Sequence, residues 1–260
     1  MLKVVFASVV YLLCVAIAGA IQSSTMLPTS LTLVDDAVLT LKTGDLIFTT
    51  SEGFFSNVQR YIFGSAVTHC CMVVKFKDRL WVWDCNPKIG AYLCTLSDFI
   101  ATNWNGRPSN PSMHEDVGLA VSYNVPKSDS MFRYSLYIRR FHGHLDHDKI
   151  IAFIRSNVGR PYSYRFWIAA YCKMVGLLAD IPLPWAYLKN TDGSVFCSEL
   201  LALTYASCGV LRTPATSILP VHFWENTVQW SHGHGMLPPE RLFGEMHENK
   251  ILHIAHDALE

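Results

Sequence analysis

Thr68-His69-Cys70-Cys71-Met72-Val73-Val74-Lys75-Phe76-Lys77-Asp78-Arg79-Leu80-Trp81-Val82-Trp83-Asp84-Cys85-Asn86 is the stretch that decides the fold. Two runs rich in β-branched and aromatic residues flank the polar pair Lys77-Asp78, the pattern of a β-hairpin with a tight turn. With a two-residue loop, Phe76 faces Arg79, Cys71 lies opposite Asp84 and His69 lies opposite Asn86. Residues paired across strands share a face, so His69, Asp84 and Asn86 point the same way. Asp84 then sits diagonally to His69, about 7–8 Å away between backbones, within reach of an imidazole-to-carboxylate hydrogen bond. Asn86 is the alternative partner for the imidazole. The argument depends on register, because a three-residue loop turns Asp84 to the opposite face. The same register sets Cys70 opposite Cys85 on the other face, where two buried thiols are expected in preference to a strained cross-strand disulfide.

Working outward from the hairpin, Thr43-Gly44-Asp45 reads as a turn into a short buried strand over 46–50. A helix is expected over 54–63, ending at Gly64. A strand around 89–93 and a short helix around 96–101 follow the hairpin. Residues 102–116, rich in Asn, Pro, Ser and Gly, read as a surface loop. Two strands, 117–123 and 131–141, precede a helix over 146–158, which Gly159-Arg160-Pro161-Tyr162 breaks. Residues 166–179 form another apolar helical stretch, interrupted by Lys173 and ended by Pro182 and Pro184. This stretch fits a buried core helix or a lid over a cleft, with a membrane-lying helix as the alternative. Pro-punctuated short elements run to the C-terminus. Strands concentrated in the middle with helices around them predict an α+β fold with an antiparallel sheet, not alternating βαβ units.

A second chemically informative segment is Asp192-Gly193-Ser194-Val195-Phe196-Cys197-Ser198-Glu199-Leu200-Leu201. The Asp-Gly turn leads to Ser194, a good N-cap type, and an apolar helical run follows that stops at Gly209. A cysteine in the first turn of a helix feels unpaired backbone N–H groups and the positive end of the dipole. Both favour the thiolate, the nucleophilic form. The competing reading is a small buried residue on an apolar helix. A thiolate nucleophile needs a base and a group to orient it. Of the 11 histidines, His69 is the best placed, at the opening of an otherwise buried strand. A satisfied core histidine is the other reading of that position.

The bulk properties exclude some classes. The 260 residues carry 21 basic and 21 acidic side chains and are 50% hydrophobic, so one packed domain is expected and a nucleic-acid partner is not. Lys3 precedes an apolar stretch over 4–21 containing Ala18-Gly19-Ala20, a small-x-small cleavage pattern. The expected organisation is a signal peptide or N-terminal membrane anchor over 1–21, a spacer with a short helix over 22–40, and a single domain over 41–260. Either targeting reading places the body outside the cytosol, secreted or held at a membrane by that segment. The chain has no Asn-x-Ser/Thr acceptor to add support to a secretory route. Removing Cys14 from the 8 cysteines leaves an odd number, which suggests one thiol kept free. His142, His144 and His147 cluster in sequence, as do His232 and His234. No cysteine pair or His-Glu-x-x-His spacing accompanies them, so no metal and no cofactor are expected.

Five short motifs carry a family resemblance. Gly44-Asp45-Leu46-Ile47-Phe48 resembles the opening strand of circularly permuted papain-like thiol hydrolases. This family is related to the NlpC-type cell-wall peptidases and to the lecithin:retinol acyltransferase group, and has exported bacterial members and a poxviral branch. Thr68 to Val74 resembles its histidine strand, Ser/Thr-His-Val-Gly-Ile-Val. Trp83-Asp84 falls where the family carries its third polar residue, usually Glu. Gly159-Arg160-Pro161-Tyr162-Ser163 resembles its Gly-Lys-Pro-Tyr-Asp segment, and Phe196-Cys197-Ser198-Glu199-Leu200 its Tyr-Cys-Ser-Glu-Leu nucleophile segment. The motifs occur in the permuted order, histidine first and cysteine last.

The resemblance implies an antiparallel sheet packed against a helix that carries the catalytic cysteine. It implies Cys197 as nucleophile, His69 as base and Asp84 as the residue that orients it. Tyr162 would line the cleft or assist near the oxyanion, or else be a structural aromatic after a proline turn. The backbone N–H of Cys197 would be an oxyanion donor. The implied activity is that of a thiol hydrolase, a peptidase or amidase working through an acyl-enzyme on a peptide or amide. A lipid acyltransferase or thioesterase using the same site is the alternative, and a non-catalytic binding module on this fold is the second alternative. Three departures stand out: Asp for Glu at 84, Ser163 for Asp, and Cys70-Cys71 for Val-Gly, which adds bulk beside the histidine.

Overall fold

The computed structural model describes residues 31–33, 40–51, 60, 65, 67–77, 79–87, 89–96, 99, 134–164, 193–215 and 218–243. The targeting segment over 1–21, most of the helix expected over 54–63, the loop over 102–116, the strand over 117–123 and the helix over 166–179 lie outside these residues.

The hairpin forms in the expected register. Strand β3 (His69–Phe76) pairs antiparallel with β4 (Arg79–Asn86), with Phe76 opposite Arg79 and Met72 opposite Trp83. Two residues therefore close the loop, and Lys77 takes φ 48°, the left-handed conformation that tight hairpin turns require. β2 (Leu46–Ser51) lies on the far side of β3, and β5 (Gly90–Thr95) lies beyond β4. β6 (Tyr134–His142) and β7 (Gly235–Phe243) follow on the β2 side, and β1 (Leu31–Leu33) closes that edge. The sheet has seven strands in the order β1-β7-β6-β2-β3-β4-β5. Every neighbouring pair is antiparallel except β1 with β7. Leu31–Leu33, within the stretch read as spacer, thus adds a strand to the sheet.

Both faces of the hairpin are covered, which is why its two strands read as near-continuous apolar runs. Cys70, Met72, Val74, Trp81, Trp83 and Cys85 face one core; Cys71, Val73, Val82, Tyr92 and Cys94 face the other. Helices α1 (His147–Asn157) and α2 (Cys197–Ser207) lie over the first face. A short helix, α3 (Pro220–Trp224), packs beside α2. Leu41, Leu96 and Phe99 are buried against the second face. The architecture is α+β.

Sequence patterning places α1 well, because its caps are local. Asp146 is the N-cap and accepts from Lys149 N at 3.2 Å, while Ile150, Ile151 and Ile154 form the buried stripe. Long-range polar contacts fix α2 on the sheet. Trp83 Nε1 donates to Thr204 Oγ1 at 3.1 Å, and the Tyr205 hydroxyl donates to Gly44 O at 2.5 Å. Gly44 has φ 94°, and a Cβ there would clash with Leu145 Cδ1.

β7 departs from expectation. Its Pro238-Pro239 argued for short irregular elements, since proline cannot donate to a ladder. The structure solves this with a bulge: Arg139 pairs with Pro239, whereas Phe141 pairs with Met236. An extra residue on β7 leaves the ladder, and the Leu237 carbonyl accepts from Arg139 Nε at 2.7 Å. Arg139 Nη1 also donates to Phe223 O at 3.0 Å and to Trp224 O, tying the C-terminal end of α3 to the sheet. Burial pulls the Arg139 guanidinium down to about 10, still charged at neutral pH. Replacing Arg139 by Met keeps much of the buried stem and strands these three carbonyls. The expected loss is about 2–3 kcal/mol, measurable as a lower urea midpoint with unchanged m-value.

Candidate active site

The expected helix carries Cys197, but Ser194 does not cap it. The N-cap is Phe196, at φ −107° and ψ 171°, with no side-chain cap bond, and Cys197 is the first helical residue. The reason is a tertiary contact. Val195 N donates to Pro161 O at 2.9 Å and Ser163 N donates to Val195 O at 2.8 Å, so a parallel bridge between Tyr162 and Val195 holds the chain extended. The helix starts only beyond this bridge, and its first backbone bond is Leu200 N to Phe196 O at 2.9 Å. The N–H of Cys197 therefore precedes the intrahelical ladder, as an oxyanion donor must. Ser198 Oγ donates to Ile218 O at 2.9 Å and anchors the same turn from behind.

His69 opens β3 and is half-buried. Its Nε2 lies 2.8 Å from Asp84 Oδ1, so the Asp side chain spans the diagonal between the two strands. Asp84 is held on both oxygens: Oδ1 also accepts Cys85 N at 2.6 Å, and Oδ2 accepts the Tyr92 hydroxyl at 2.8 Å. With Nε2 engaged by Asp84, the imidazole has its other nitrogen left, and Cys197 is the neighbouring thiol whose charge acts on the ring. Of the two candidate orienters, Asp84 is the one whose contact with the His69 ring is defined here.

The electrostatics follow from these contacts. The Cys197 thiol is held well below the ordinary thiol range by a hydrogen bond from Cys70 and by the neighbouring His69, against the opposing effect of burial. Burial pushes the His69 imidazole down, but the Asp84 carboxylate and the Cys197 thiolate outweigh it and hold it well above the usual imidazole range. Both shifts act in the direction that favours a thiolate–imidazolium pair beside the carboxylate. Burial and Asp84 raise the Tyr92 phenol, which stays a neutral donor.

Tyr162 is half-buried. It bridges to Val195, packs against Phe196, Leu219 and Val221, and stacks edge-on with Tyr164 at 5.3 Å between ring centroids. It therefore sits two residues from Cys197 by way of the bridge. The six described cysteines are free thiols, Cys70 and Cys85 among them. Among the described residues no group of three His, Cys, Asp or Glu side chains is placed to hold a metal, and His147 instead stacks on Phe76. No helix among the described residues is long and apolar enough to cross a membrane.

Two neighbours of the site were not legible as such. Tyr92 lies directly opposite Asp84 on β5, a pairing that needs the register of a third strand. Cys70 read as added bulk and as a buried thiol opposite Cys85, and it lies in the same core as Cys197.

No family model matches the chain, and no curated protein matches it. Among solved structures it is similar to the metalloprotein yiiX from Escherichia coli O157:H7, at 19% identity and a TM-score of 0.39. The match covers 64% of this chain and 66% of that one, just under two thirds of its length.

Proposed function

We propose that the protein is a cysteine hydrolase of the circularly permuted papain-like class, acting on an amide bond through an acyl-enzyme at Cys197. The observation that carries this reading is the His69 imidazole, 2.8 Å from Asp84, with Cys197 beside it as the first residue of α2. Cys197 attacks the carbonyl as a thiolate, and its own backbone N–H faces the developing oxyanion. His69 gives its proton to the leaving amine and then takes one from the water that hydrolyses the thioester. Asp84 keeps the ring in the orientation that both transfers need. The ordered motifs from Gly44 to Leu200 support the same assignment.

The test is covalent labelling by a peptidyl vinyl sulfone, read by peptide mapping. Wild type is expected to label at Cys197, Cys197→Ala not at all, and His69→Ala far more slowly. Equal labelling of all three proteins at other sites would overturn the proposal. Acyl adducts on Cys197 that pass to a lipid acceptor instead of water would move the reaction to acyl transfer.

A further inference from the structure

β5 reads Gly90-Ala91-Tyr92-Leu93-Cys94-Thr95, an apolar strand with a phenol in it. Tyr92 is buried in the second core with Ile47, Val73 and Val82. Phe would fill the same space, so the hydroxyl needs a reason, and a buried O–H must find an acceptor. It finds Asp84, its direct partner across β4 and β5, and donates to Oδ2 at 2.8 Å. Asp84 is buried as well, and its Oδ1 meets His69 Nε2 at 2.8 Å and accepts Cys85 N at 2.6 Å. The terminal torsion of an Asp side chain is soft on its own. Donors at both oxygens fix it, and with it the oxygen that faces the imidazole.

The segment that places the nucleophile also places β5. Ala91 N donates to Arg160 O at 2.8 Å and Gly159 N donates to Ala91 O at 2.8 Å. Gly90 has φ 84°, and a Cβ there would clash with the Arg160 carbonyl. Pro161 and Ser163 of the same segment bond to Val195, two residues before Cys197. One stretch of chain thus sets the neighbours of both Tyr92 and Cys197.

We propose that Tyr92 is a positioning residue of the site, its hydroxyl locking the Asp84 carboxylate so that Oδ1 holds the His69 imidazole in the orientation its proton transfers need. The proposal rests on Cys197 being the nucleophile and deepens that reading. The titratable groups around the Asp84–His69 pair are Cys70 and Cys71 on β3, Cys85 on β4, Tyr92 on β5 and Cys197 on α2. Burial pushes Cys70, Cys71, Cys85 and Tyr92 up, so these groups stay neutral at pH 7 and Tyr92 remains a donor. Cys71 Sγ is turned to Ile47 O at 3.6 Å, and Cys85 Sγ to Val195 O at 3.3 Å.

The experiment titrates the His69 ring by NMR in the full-length protein, its signal assigned by its loss in His69→Gln. It also follows labelling of Cys197 by the peptidyl vinyl sulfone at pH 7, a reaction in which the imidazolium delivers a proton. Wild type, Tyr92→Phe, Asp84→Asn and the double variant are compared, each checked by circular dichroism. Tyr92→Phe keeps the ring and its packing and deletes the donor. It is expected to lower the His69 midpoint by about half a pH unit and to slow labelling about threefold, the size of one lost hydrogen bond. In the Asp84→Asn background the same change is expected to move neither. A Tyr92→Phe protein with the wild-type midpoint or the wild-type labelling rate overturns the proposal. Equal effects with and without the Asp84 carboxylate overturn it too, and make Tyr92 a packing residue. A wild-type protein that does not label at Cys197 instead overturns the hydrolase reading, and this proposal with it.

Discussion

Replacing His69 by Gln is expected to slow alkylation of Cys197 at pH 6 by about a hundredfold, with the gap closing towards pH 10. Gln keeps an amide donor for Asp84 and removes the positive charge. Burial then acts on the Cys197 thiol without the imidazolium to oppose it. An ordinary thiol is ionised in only about one molecule in three hundred at pH 6, whereas above its ordinary range the charge partner no longer matters. The signs can be worked out for wild type. The Cys197 value is lowered, so the thiolate forms as pH rises through that lowered value. The His69 value is raised, so the imidazolium persists above the usual range and is lost as pH rises through the raised value. The ion pair exists between the two, and so does the stability it contributes: it fades on the acid side with Cys197 and on the alkaline side with His69. Amide hydrolysis, which needs both members, should follow the same bell. A His69→Gln protein alkylated at the wild-type rate at pH 6 would show that the charge pair does not set the reactivity of Cys197.

Trp83→Ala should be the most damaging change to the fold itself. Trp83 is fully buried at the centre of the hairpin, facing the core under α2, and its Nε1 bonds Thr204 Oγ1. Truncation opens a cavity between sheet and helix and leaves the Thr204 hydroxyl with its Leu200 carbonyl contact alone among these bonds. The expected loss is about 3–5 kcal/mol, a large fraction of the about 5–15 kcal/mol that holds a typical domain folded. The measurement is the thermal midpoint, with Trp83→Phe as the milder comparison. Because α2 begins at Cys197, the same variant should also slow labelling of Cys197 at temperatures where it remains folded. A midpoint within a degree or two of wild type would mean that α2 does not depend on this contact.

The hairpin was legible because its information is local. A polar pair between two apolar runs fixes loop length, loop length fixes register, and register places His69 and Asp84 on one face. Helix α1 was legible for the same reason: Asp146 caps it three residues from its own partner. Ser194 misled because its capping chemistry is also local, while the helix start is set by Pro161 and Ser163, more than 30 residues earlier in the chain. β7 was missed because a bulge that accommodates Pro238-Pro239 needs Arg139, almost 100 residues away, to take the freed carbonyl. The role of Tyr92 depended on β5 registering against β4, which no loop rule supplies.

The sequence by itself determined the α+β class and the hairpin with its register. The tertiary structure decided that His69, Asp84 and Cys197 meet. It also set the first helical residue at Cys197. The physical reason is range. Turn and capping preferences act over a few residues, whereas the first residue of α2 meets the first residues of β3 only once the helix has settled on the sheet.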